Sequence, residues 1–155
     1  MSVRNLPLKG LTFKDIRVVS GKDSFDYEDT IYFLTEDDEL YKMSHDQECC
    51  ESGTIDDIIG NLEDLIGSPL TMAEEVQEKD DSNEDRSATW TFYKFATNKG
   101  YVTIKWYGVS NGWYSETADI YKVEEDSEID EESEIQLILS TFFNKNEIQE
   151  EVTKS

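Results

Sequence analysis

The sequence is poor in several residue types, and each shortage excludes something. Only two prolines, Pro7 and Pro69, and eight scattered glycines occur in 155 residues, so no Pro-rich or Gly-rich linker divides the chain. Only two cysteines occur, and they are adjacent, Cys49 and Cys50. Neighbouring cysteines do not build a framework of disulfides, which points to a reducing cytoplasm. There is one histidine, His45, which leaves little room for His-based acid–base catalysis. No apolar run approaches the length of a membrane span, and Met1–Leu11 lacks the apolar segment of a secretory signal. No phosphate-binding loop, nucleophile elbow or zinc-protease motif is present, so no enzyme activity and no cofactor are expected.

Bases are the scarcest class relative to their opposites. Lys and Arg number 14 against 36 Asp and Glu, a formal charge of −22. Residues 1–22 hold five of the bases and one acid, and the rest of the chain is acidic throughout. Such a surface excludes direct binding to nucleic-acid phosphates and to anionic membranes.

What is present is enough to fold. Hydrophobic residues make up 37% and aromatics 12% of the chain, as expected for one domain spanning 1–155. Strand patterns cover Leu11–Val19, then Thr30–Thr35 and Leu40–Met43 around the turn Glu36–Glu39. Thr89–Thr97, Tyr101–Tyr107 and Trp113–Val123, separated by turns at Asn98–Gly100 and Asn111–Gly112, predict an antiparallel meander. Ile55, Ile58, Ile59, Leu62, Leu65 and Ile66 recur at helical spacing, with Thr54 placed as N-cap, and a second helix is expected over 134–150. The expected fold class is α+β: a single domain, mainly an antiparallel sheet with one or two helices on one face. Residues 1–10 and 124–134 are expected to be flexible.

Three acidic runs stand out. The first is Glu36, Asp37, Asp38 and Glu39. The second contains Glu74, Glu75, Glu78, Asp80 and Asp81. The third contains Glu124, Glu125, Asp126, Glu128, Asp130, Glu131 and Glu132. All three are expected at turns or strand ends. A compact chain of this length is roughly 40 Å across, and duplex DNA of that length carries about 23 negative charges. The protein thus matches the charge of a DNA segment of its own size. Acid runs also serve simply as solvated surface. Asn111, Trp113 and Tyr114, polar and aromatic residues at a turn, are further candidates for a partner contact.

His45 and the Cys49–Cys50 pair form the other unusual cluster. Imidazole and thiolates are zinc ligands, although no distant Cys or His completes a four-ligand shell. A buried, purely structural role is the competing reading.

The blocks His45-Asp46-Gln47-Glu48-Cys49-Cys50-Glu51 and Ser110-Asn111-Gly112-Trp113-Tyr114-Ser115 resemble those of a family of small bacteriophage proteins, over roughly residues 40–120. In this chain Glu48 stands where that family has Asp, and Trp113 where it has Tyr. The resemblance implies a phage or prophage origin and carries no catalytic residue with it. Charge and context together lead to an expected function: an acidic inhibitor or interaction protein of the host cytoplasm. It would bind the basic groove of a nucleic-acid-binding defence or replication protein, in a DNA-mimic, anti-CRISPR or anti-restriction role. The alternative is a small-molecule or metal-binding module centred on His45, Cys49 and Cys50.

Overall fold

A computed structural model describes residues 2–21, 28–45, 51–82, 86–112 and 116–123. Cys49, Cys50, Trp113, Tyr114, the third acidic run and the C-terminal helix expected over 134–150 lie outside the described residues. The chain divides into two units, Met1–Tyr121 and Lys122–Ser155, and of the second only Lys122 and Val123 are described.

The described residues form nine strands: β1 (Ser2–Asn5), β2 (Phe13–Val19), β3 (Thr30–Thr35), β4 (Leu40–Ser44), β5 (Ser52–Ile59), β6 (Met72–Lys79), β7 (Ser87–Thr97), β8 (Gly100–Ser110) and β9 (Asp119–Lys122). A five-stranded sheet runs β1-β6-β7-β8-β5, and a four-stranded sheet runs β2-β3-β4-β9. Phe33 of the smaller sheet packs on Phe13 (ring centroids 5.1 Å apart) and reaches Phe95 of the larger one (5.9 Å). Trp106 on β8 donates its indole N–H to the sulfur of Met43 on β4 at 3.2 Å. The apolar core lies between these faces.

The fold is therefore all-β, which corrects the expected α+β class. The stripe Ile55–Ile66 was expected to be a helix, yet its first half is β5. Ile55 pairs with Trp106 and Ile58 with Ile104, with a register shift between Ile55 and Asp57. An extra residue in one strand lets positions three apart share a face, so this bulge reproduces the helical spacing. Glycine then ends the strand: Gly60 has φ +106°, and a Cβ there would lie 2.5 Å from the carbonyl of Tyr101. Only Leu62–Leu65 winds, as a single 3-10 turn capped by the Asn61 side chain, which accepts from the Glu63 N–H at 3.0 Å. Thr54 is not a cap. It lies within β5, whose Ile55 N–H donates to Asp29 Oδ2 at 2.9 Å.

Two further corrections concern strands. The run around Glu74–Lys79 is not a turn but β6, whose alternation buries Glu75 and leaves Glu74 on the opposite face. Of the expected third strand of the meander, Trp113–Val123, residues 113–115 lie outside the described ones and Asp119–Lys122 form β9, which joins β4 in the smaller sheet rather than β8. The hairpins Thr30–Met43 and Thr89–Tyr107 stand as expected, with β7 and β8 extended to Ser87 and Ser110.

Candidate functional site

The inner face of the larger sheet changes character along its length. Phe95 pairs with Val102 and Tyr93 with Ile104 at the apolar end. Towards the other end the same face carries Thr91, Thr89, Ser87, Gly108 and Ser110. Buried hydroxyls there need partners, because an unmade hydrogen bond away from water costs about 1–3 kcal/mol. Glu116 supplies them to Ser87, Thr89 and Ser110, while Thr91 Oγ1 has no hydrogen-bond partner among the described residues. Glu116 Oε1 accepts from Ser87 Oγ (2.6 Å), Thr89 Oγ1 (2.7 Å) and Lys79 Nζ (3.1 Å), and Oε2 accepts from Ser110 Oγ. Burial by itself pushes the Glu116 carboxyl up, but the donors from Ser110, Ser87, Thr89 and Lys79 outweigh it and bring the pKa down to about 2. Gly108 leaves the space: a Cβ there would stand 1.6 Å from the Glu116 carbonyl oxygen.

The next two residues are held as firmly. The Thr117 carbonyl accepts from His45 Nδ1 at 3.0 Å. The His45 ring is buried, and its Nε2 lies 3.4 Å from Oε1 of the fully buried Glu51. Gly53 gives the ring its seat, since a Cβ there would be 2.5 Å from the His45 Cβ. Tyr93 Oη lies 2.8 Å from the Ala118 carbonyl and 2.7 Å from Glu75 Oε1, sharing one proton between two acceptors. Arg4 pairs with the other Glu75 oxygen at 2.9 Å. Burial first, then the neighbouring Glu75 carboxylate, pushes the Tyr93 phenol well above its ordinary range.

Outside, the acidic candidates occupy two sheets. Glu36, Asp37 and Asp38 are exposed at the β3–β4 turn, where Asp38 has φ +63° and pairs with Lys14; Glu39 is half-buried. Glu74 and Glu78 lie on the outer face of the larger sheet, and Asp81 is exposed beyond its end. Asp80 accepts from Tyr107 Oη at 2.7 Å; hydrogen bonds from Ser82 and then from Tyr107 hold its carboxyl below the usual range. On that face Trp90 packs on Tyr107 (4.2 Å between centroids), with Lys105 Nζ 4.2 Å above the indole and 3.4 Å from Asp56. Asn111 is exposed at the turn after β8.

Glu75, counted in the second acidic run, is therefore an internal ligand of Arg4 and Tyr93 rather than a surface group. Of the His-Cys-Cys candidates only His45 is described. Glu51, Gly53, Tyr93, Gly108 and Glu116 are not among the site residues expected from the sequence. The available signal was the alternating Ser87, Thr89 and Thr91 that continues the Tyr93–Phe95 core face with hydroxyls. Among the described residues no group of three or more His, Cys, Asp and Glu side chains gathers as a metal cluster, and no helix is long and apolar enough to cross a membrane.

A family model described as a domain of unknown function (DUF7448) matches residues 9–120. The chain belongs to this family. The family domain takes in every residue from His45 to Ala118 described above, and it reaches back across most of the basic N-terminal stretch. It ends before Glu124, so the third acidic run is an extension beyond it. Comparison with curated proteins and with solved structures gives no match.

Proposed function

We propose that this protein is a non-catalytic, acidic interaction protein that occupies the basic groove of a nucleic-acid-binding host protein. The observation that carries the reading is the fate of its bases. Arg4, Lys14, Lys79 and Lys105 are each paired with a carboxylate of the same chain, while Glu36, Asp37, Glu78 and Asp81 stand exposed in an overall charge of −22. Residues 124–155, with 11 acids and two bases, add to the same excess. The buried carboxylates Glu75 and Glu116 are occupied in holding the chain together, and among the described residues no activated nucleophile accompanies them. Resemblance of the His45–Glu51 and Ser110–Ser115 blocks to small phage proteins supports a phage setting in the host cytoplasm. There, competition with DNA or RNA for a restriction or CRISPR effector is the mechanism the charge favours.

The test is displacement of a nucleic acid from such effectors by the full chain, at low and high salt. Exposed charges are screened beyond about 8 Å at physiological ionic strength, so binding should weaken steeply as salt rises. The paired charge reversals E36K/D37K and E74K/E78K should each weaken it further. Affinity that is flat across salt and unchanged by both reversals would defeat the reading.

A further inference from the structure

We propose that His45 Nε2 and Glu51 Oε1 are two ligands of a zinc-type divalent cation. The His45 ring is buried and oriented by an Nδ1–H bond to the Thr117 carbonyl at 3.0 Å. A carbonyl only accepts, so Nδ1 carries a proton, and Nε2 is the ring nitrogen left to face a ligand. This is the arrangement in which a metal-binding imidazole is normally held, its far nitrogen donating to a backbone oxygen. Nε2 is buried without a hydrogen-bond partner among the described residues. What it faces is the carboxylate of Glu51, itself buried, at 3.4 Å.

That distance discriminates between two explanations. A charge-assisted N–H···O bond runs about 2.7–2.9 Å, so 3.4 Å is long for one and leaves at most a loose ion pair. Two ligands on one tetrahedral zinc, each about 2.0–2.2 Å from the ion, are separated by about 3.3–3.5 Å. The observed 3.4 Å matches the separation of two neighbouring ligands of one such ion. The seat is also made for the ring, since Gly53 gives up its side chain to admit His45. Cys49 and Cys50 lie between the two ligands in sequence and outside the described residues; they enter as variants in the test.

The full chain, purified without chelator, should carry about one zinc per molecule by elemental analysis, and stripped protein should regain it with a rise in melting temperature. His45 is the only histidine, so its Nε2 nitrogen resonance is unambiguous and should shift on adding zinc to stripped wild-type protein. This readout requires no variant that must fold. The near-isosteric E51Q should lose stoichiometric binding while keeping its strand content. The proposal is overturned if zinc and cobalt leave both stability and the Nε2 resonance unmoved. It also fails if E51Q binds as tightly as wild type, or if only the C49S/C50S double variant loses the ion while E51Q and the Nε2 resonance show no involvement.

Discussion

Gly108 and Glu116 meet backbone to backbone. β8 passes so close to the returning chain that any side chain at 108 would penetrate the Glu116 carbonyl. G108A should therefore break the contact outright, costing about 3 kcal/mol or more because backbone rather than a movable side chain must give way. Urea unfolding would measure it, and a cost under about 1 kcal/mol would contradict the described approach.

Glu116 makes stability depend on acid. Its carboxyl titrates at about 2 in the folded chain and at an ordinary 4.5 when unfolded. A lowered folded value gives stabilisation that is complete above the unfolded pKa and is lost as pH falls through the folded one. The full effect is up to about 3 kcal/mol. E116Q should be less stable at pH 7, with most of the difference gone near pH 2. Parallel melts of both proteins across that range decide the matter.

Y93F removes the one proton shared by Glu75 and the Ala118 carbonyl. Two buried acceptors lose a donor, with a cost of about 1–3 kcal/mol, only partly relieved by Arg4 on the far Glu75 oxygen. Denaturant midpoints with an unchanged slope would establish that the loss is local.

G53A should displace His45, because the new methyl would overlap its Cβ and Cγ at 2.5 and 2.7 Å. A destabilisation of about 1–3 kcal/mol is expected, with a changed resonance for the single imidazole. An unchanged imidazole signal would mean that the ring is not seated on β5.

Parts of this architecture were legible in the sequence for plain physical reasons. In β7 and β8 one face meets the core and the other water, so Thr91 to Thr97 alternates visibly. β5 was not legible, because a bulge gives Ile55 and Ile58 a helix-like spacing that periodicity cannot separate from a helix. β6 was hidden by its own charge: Glu74, Glu75 and Glu78 read as a solvated turn, although a buried Glu75 is stable once Arg4 and Tyr93 face it. His45 was noticed as a residue, but its relation to Thr117, 72 positions away, is a product of the fold. The same holds for Glu116, whose partners come from three separate strands.

The bonds that fix residues 116–118 reach back across 72, 27 and 25 positions of chain. Contacts of such long range carry a loop-closure cost before they return anything, which places them late in folding. Their influence then falls on the rate of escape from the native state rather than on the rate of reaching it. Loosening Glu116 or Tyr93 should shorten the lifetime of the folded molecule while leaving its refolding speed nearly untouched.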